Sequence, residues 1–163
     1  MELLKGKTAI VTGGTRGIGF AIVKAFLDNG AKVALCGSRE GTASAAVEKL
    51  KTINPDYEVM GIWPDMTDPN SIAAEFAKVN EAFGRIDILG NNAGVSARES
   101  LYDYDPAAFD KTWRSTSMPC STAARQLHLS CAPRAAVPLS TQALWSASTV
   151  SLQAVPTLHP SLR

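Results

Sequence analysis

The sequence predicts an α/β fold built on a doubly wound parallel sheet, and three observations carry that prediction. Short β-branched or apolar runs alternate with longer stretches of helical period, the pattern of strand–helix–strand units. The first run meets the first helix across Thr12-Gly13-Gly14-Thr15-Arg16-Gly17-Ile18-Gly19, a glycine-rich elbow. The regularity then breaks: all fifteen acidic residues lie at or before Asp110, and the last lysine is Lys111. Ordinary globular sequence does not lose both kinds of residue for so long. The sheet is therefore expected to be truncated after about four strands, with residues 1–111 as one half-domain and 112–163 as an irregular, disordered tail.

The elements follow in order. Lys7-Thr8-Ala9-Ile10-Val11 reads as a buried strand. Behind the elbow, Ile18, Ala21, Ile22, Ala25 and Phe26 recur at helical spacing and are expected to form the inward stripe. Gly30 closes that helix as a C-cap. Residues 32–36 form the second strand. Residues 42–51 form a helix with Ala46, Val47 and Leu50 inward, and residues 57–63 the third strand. Asp68-Pro69 signals a turn or helix start. Residues 71–83 are helical with Ile72, Phe76 and Val79 on one face, and Gly84 stops them. Residues 86–89 are the fourth strand. Asp105 to Lys111 begins a further helix with Pro106 in its first turn.

The elbow is where chemistry is expected. Gly13 can take backbone angles closed to other residues. Gly17 and Gly19 lack side chains, so a phosphate can approach the backbone and the helix can pack against the strand. The free N–H groups and dipole of the helix start favour an anion. A glycine-rich turn without a ligand is the alternative, and the flanking strand and helix argue against it.

The spacing Thr-Gly-x-x-x-Gly-x-Gly resembles that of the short-chain dehydrogenase/reductase family, classical type. The resemblance runs from about Leu4 to Lys111 and includes Asn91-Asn92-Ala93-Gly94 after the fourth strand. It implies a Rossmann-like fold and an oxidoreductase that interconverts an alcohol and a ketone. A 3-oxoacyl thioester, a steroid or a sugar-like carbonyl are its candidate substrates. It also implies that Gly13, Thr15, Arg16, Gly17, Ile18 and Gly19 border the cofactor. Asp65, followed by Met66, would contact adenine, or else act as a turn acid. Asn91, Ala93 and Gly94 would steady the sheet and line a ribose. Gly90 departs from the β-branched residue usual there. At the end of the second strand an acid would hold a ribose 2′-hydroxyl, and a base would accept a 2′-phosphate. Gly37-Ser38-Arg39 stands there, with Arg16 near the same pocket by resemblance, so NADP(H) is favoured while NAD(H) stays open. A solvated turn arginine is the bland alternative for Arg39.

The family's proton donor sits in a Tyr-x-x-x-Lys motif, whose lysine lowers the tyrosine pKa. The tyrosines here are Tyr57, Tyr102 and Tyr104, and four residues on stand Gly61, Pro106 and Ala108. No catalytic residue is assigned, and the chain is expected to lack turnover. Reading residues 116–122 as degenerate codons one base earlier permits Asn-Val-Asn-Ala-Val-Phe-Asn. Further on, the same shift permits paired serines and Tyr-x-x-Ser-Lys at the family's spacing. A one-base loss near Thr112 is the expected cause. A genuine Ser/Ala/Pro-rich extension is the alternative.

The totals exclude other classes. A net charge of +1 gives no preference for nucleic acid or membrane. The tail is mildly basic through Arg114, Arg125, Arg134 and Arg163, without the charge clusters or interleaved aromatics of a nucleic-acid binder. Cys36, Cys120 and Cys131 lack metal spacing, and His128 and His159 lack partners in the sequence, so no metal site is expected. Neither a secretory signal nor a membrane-length apolar run is read, which makes a cytoplasmic compartment the expectation. Assembly state is open. An exposed edge strand predicts marginal solubility. A binding module without chemistry and a non-functional product remain the rival readings.

Overall fold

The structure is a computed structural model, and it describes residues 2–94 together with the backbone of residues 151–154. The expected helix at 105–111, Cys120, Cys131, His128 and His159 lie outside the described residues. The element order is β1 (Thr8–Thr12), α1 (Gly17–Asp28), β2 (Lys32–Cys36), α2 (Glu40–Ile53), β3 (Val59–Ile62), α3 (Pro69–Phe83), β4 (Ile88–Asn91) and β5 (Ser151–Ala154). The sheet runs β3-β2-β1-β4-β5. The first four strands are parallel, with β1 central: Ile10 registers with Ala34 on β2 and with Leu89 on β4. This is the predicted doubly wound α/β sheet.

Central strands in such a sheet are covered on both faces and need apolar residues throughout. All five residues of β1 are buried. One face joins Ala9, Val11, Val33 and Leu35 to Val23 and Leu27 of α1 and to Ala43, Ala46 and Leu50 of α2. The other joins Ile10, Ala34, Cys36 and Leu89 to Ile72, Phe76 and Val79 of α3. Each fully buried large side chain contributes about 1.5–3 kcal/mol of transfer free energy.

The terminators act as read. Gly30 and Gly84 have φ of 83° and 81°, the left-handed region that stops a helix at low cost. Asp68 caps α3, its carboxylate accepting from Asn70 N and Ser71 N, with Pro69 in the first turn.

Three expectations are corrected. The inward face of α1 is Gly19, Val23 and Leu27, while Ile18 is 59% exposed and Ala21 and Ala25 are also exposed. Almost every α1 side chain is apolar, so two stripes compete in the sequence. The close seat of Gly19 on the elbow decides between them. Ala43 joins Ala46 and Leu50 on the buried face of α2, and Val47 is only half-buried. Strand β4 runs two residues later than read, to include Asn91; just before it, the Asp87 N–H donates to Thr8 O of β1 at 2.8 Å.

The outer edge of β4 is not bare. Ser151–Ala154 pairs with it antiparallel, Gly90 opposite Leu152. An exposed edge presents a row of unpaired N–H and C=O groups, and an uncharged, proline-free segment satisfies them. The direction of β5 sets it apart from the parallel series.

Gly90 marks a local weakness in β4. A Cβ there would stand 3.4 Å from Val11 Cγ2 and 3.6 Å from Ile10 O, ordinary contact distances. Glycine within a strand costs conformational entropy. Gly90→Ala is expected to raise unfolding stability by about 0.5–1 kcal/mol in urea titration. A loss of stability would show that the space is not there.

Candidate functional site

The site forms where the C-terminal ends of β1, β2 and β4 meet the start of α1. The elbow turns at Gly13, with φ of 65°, and Gly17, with φ of 56°. The glycines divide the labour that the sequence assigned jointly. A Cβ on Gly19 would fall 2.1 Å from Gly13 O and 2.5 Å from Asn92 Nδ2, so Gly19 is the packing glycine. A Cβ on Gly17 would meet nothing within 4 Å, so the space before the helix start is open. Gly14 is a second packing glycine, its Cβ position 2.9 Å from Leu35 Cβ, and its N–H donates to Cys36 O at 3.1 Å.

Arg16 is the N-cap of α1, and no side chain caps that end. The contrast with α3, capped by Asp68, is electrostatic. The first N–H groups of α1 and its positive dipole end stay available to an anion. Ile18 lies exposed beside them.

A latch joins the elbow to the end of β4. The Thr12 hydroxyl accepts from Asn92 N and Ala93 N, both at 3.0 Å, and donates to Gly90 O at 3.4 Å. Asn92 Nδ2 donates to Thr12 O and Gly13 O, each at 3.2 Å. Thr12 and Asn92 thus do the steadying that the resemblance assigned to the Asn-Asn-Ala-Gly motif as a whole. Asn91 is buried, and its Oδ1 has no hydrogen-bond partner among the described residues. A buried orphan acceptor is costly unless a ligand donor completes it. Gly94 is exposed at the end of this turn.

The end of β2 lies alongside. Gly37 is buried; a Cβ there would be 3.1 Å from Thr15 Cγ2 and 3.1 Å from Ala43 Cβ. Thr15 of the elbow therefore leans over the turn that carries Ser38 and Arg39, both exposed. No acid stands in this turn before Glu40, the first residue of α2.

Asp65 follows β3 in a turn of its own making. Its Oδ1 accepts from Thr67 N at 2.8 Å and Thr67 Oγ1 at 2.7 Å, and these bonds hold its carboxyl below the usual carboxylate range. The turn role is filled. Met66, half-buried, packs on the α3 face of the core.

Burial, with the Glu75 charge adding to it, pushes the Cys36 thiol well above its ordinary range, so it stays protonated. Tyr57 lies before β3 and donates to Asp28, which keeps its phenol above the usual value. Among the described residues no cluster of His, Cys, Asp and Glu gathers to hold a metal ion, and no helix is long and apolar enough to cross a membrane.

The sequence missed Thr12, Gly14 and Asn92 as site residues. Thr12 opens the elbow motif and Asn92 lies within the Asn-Asn-Ala-Gly motif, but their bonds to each other span about eighty positions, which spacing along the chain does not display.

The open Gly17 space, the uncapped helix start and the orphan Asn91 Oδ1 fit a phosphate-linked nucleotide with ribose hydroxyls. The comparisons agree. The family model for short chain dehydrogenases matches residues 7–127. The chain is 51% identical over 109 residues to a 3alpha-hydroxysteroid dehydrogenase of Mediterraneibacter gnavus, covering 67% of this chain and 44% of that protein. It is 38% identical over 102 residues to an NADP-dependent (R)-specific alcohol dehydrogenase of Lentilactobacillus kefiri, covering 63% of this chain and 39% of that one. A short chain dehydrogenase from Burkholderia cenocepacia, solved in complex with NADP, superposes with a TM-score of 0.69 at 35% identity, over 77% of this chain and 51% of the other. The chain spans less than half the length of these two curated relatives and about half of the solved one. With its parallel sheet and glycine elbow, the chain belongs to the short chain dehydrogenase family.

Proposed function

We propose that this chain binds NADP(H) at the elbow and does not by itself reduce a ketone. The observation that carries the reading is the helix start. An uncapped dipole end opens onto empty space at Gly17, with Arg16 at the cap and Arg39 on the neighbouring turn. The pyrophosphate would lie against the N–H groups of residues 17–19. The 2′-phosphate would meet Arg39 and Arg16, with Ser38 beside it as a hydroxyl donor. Asn91, Ala93 and Gly94 would line the nicotinamide ribose, and Asp65 with Met66 the adenine. A bound nicotinamide would supply or accept hydride.

Turnover also needs a proton donor beside the carbonyl oxygen. Tyr57 is committed to Asp28 and lacks a lysine four residues on. The relatives named above are known by steroid and alcohol substrates. An alcohol–ketone pair of that kind is the substrate class of the whole family member, with the chemistry supplied from outside residues 1–111. We read the tail, 112–163 by its composition, as out of frame with that half, while the family match runs on to residue 127; we read the compartment as cytoplasmic. Nucleotide sequence across codons 108–116 tests the frame: an intact frame removes that part of the reading.

The binding claim is tested by titrating the full chain with NADPH and following its fluorescence. Saturable binding without ketone-dependent oxidation is expected. Arg39→Ala should weaken NADPH about tenfold and leave NADH unchanged, the size of one charge-assisted hydrogen bond. Absence of saturation, or steady turnover, would overturn the reading.

A further inference from the structure

We propose that Thr42 is a positioning residue for cofactor choice: its hydroxyl fixes the backbone of Arg39 and so sets the preference for NADPH over NADH. The inference rests on the reading that Arg39 meets the 2′-phosphate. The geometry at the start of α2 is unusual. Its N-cap residue is Arg39, with φ of −154° and ψ of 155°. A guanidinium has donors only and cannot serve the free N–H groups of a helix start.

Thr42 takes over from the third helical position. Its Oγ1 accepts from Arg39 N at 3.3 Å and donates to Arg39 O at 2.8 Å. The same carbonyl receives Thr42 N and Ala43 N, both at 3.1 Å. Both peptide groups of Arg39 are therefore tied to one side chain and the first turn of α2. That turn is itself seated. Ala43 is fully buried, with its methyl between Gly37 and Gly61, whose own Cβ positions would lie 3.1 Å and 3.0 Å from it. The Ala43 methyl occupies the room that side chains at Gly37 and Gly61 would take, so the first turn of α2 sits close against the ends of β2 and β3.

The Arg39 side chain is exposed and enters no ion pair among the described residues. A long flexible cation binds an anion well only when its root is held, because ordering it costs entropy. Thr42 is half-buried and spends its hydroxyl on backbone. It acts through Arg39.

Thr42→Val removes the hydroxyl at nearly constant shape. In the full chain it is expected to lower the ratio of NADPH to NADH affinity about fivefold, the scale of one lost hydrogen bond. Thr42→Ser should retain the wild-type ratio. In an Arg39→Ala background, Thr42→Val should change the ratio no further. Thr42→Ala, which gains helix propensity, carries the same expectation should the valine variant not fold. Equal weakening of both nucleotides would assign Thr42 to helix stability alone and overturn the proposal. So would a wild-type preference that Thr42→Val and Thr42→Ala leave intact. A wild-type chain that binds NADPH no better than NADH would remove the reading of Arg39 first, and this inference with it.

Discussion

Gly19→Ala is expected to abolish saturable NADPH binding and to destabilise the chain by about 3 kcal/mol or more. The added methyl carbon would stand 2.1 Å from Gly13 O, 2.8 Å from Gly13 C and 2.5 Å from Asn92 Nδ2. Two of these atoms are backbone in the elbow, and the third is fixed by bonds to Thr12 O and Gly13 O. None is the free end of a flexible side chain. Helix α1 must lift off the sheet, which uncovers Val23 and Leu27 and breaks the latch to β4 at once. Melting curves and nucleotide titration report the two losses together. Gly17→Ala is the control. Its methyl meets nothing, so its cost is the left-handed backbone alone, about 1–2 kcal/mol. A Gly19→Ala chain that melts within a degree or two of wild type would contradict the packing role.

Asp87→Ala should destabilise by about 2–4 kcal/mol while leaving NADPH affinity of the folded chain unchanged. The carboxylate is 4% exposed. Its Oδ2 accepts from Thr8 N at 3.0 Å, its Oδ1 accepts from Arg85, and Lys7 Nζ lies 3.7 Å away. Truncation leaves the buried Thr8 N–H without an acceptor. It also leaves two cations facing each other. Their side chains are 49% and 38% exposed, so water screens them and the orphaned amide carries most of the cost. Asp87 immediately precedes β4, whereas Asn91 ends it, so the damage lies at the far end of the sheet from the elbow. Urea unfolding against nucleotide titration separates the two quantities. A parallel fall in NADPH affinity would show that the ends of the sheet are coupled.

Part of this architecture was legible residue by residue. Asp68-Pro69 and Gly84 bound α3 because caps are local devices, satisfied within a turn of the chain. Ile72, Phe76 and Val79 face the core because α3 has a single apolar stripe against polar neighbours. Gly13 was legible from its turn, and its φ is positive as the turn requires. The face of α1 was not legible, since Phe20, Ala21, Ile22, Val23, Ala25, Phe26 and Leu27 are apolar nearly all round. The role of Gly19 was half legible. Periodicity placed it in a helix start, but only the carbonyl of Gly13 explains why no methyl fits.

The sequence alone determined the strand–helix alternation, the anion-ready elbow and the positive turn after β2. Each depends on neighbours within a few residues, where propensity, capping and charge act. Only the tertiary structure decided which side of α1 is inward, and that Thr12 and Asn92 lock β1 to β4. It also decided that Ser151–Ala154 covers the edge of β4 and that Arg39 is held from Thr42 and Ala43. Those outcomes turn on contacts between distant segments, whose distances and directions the linear order of residues does not encode.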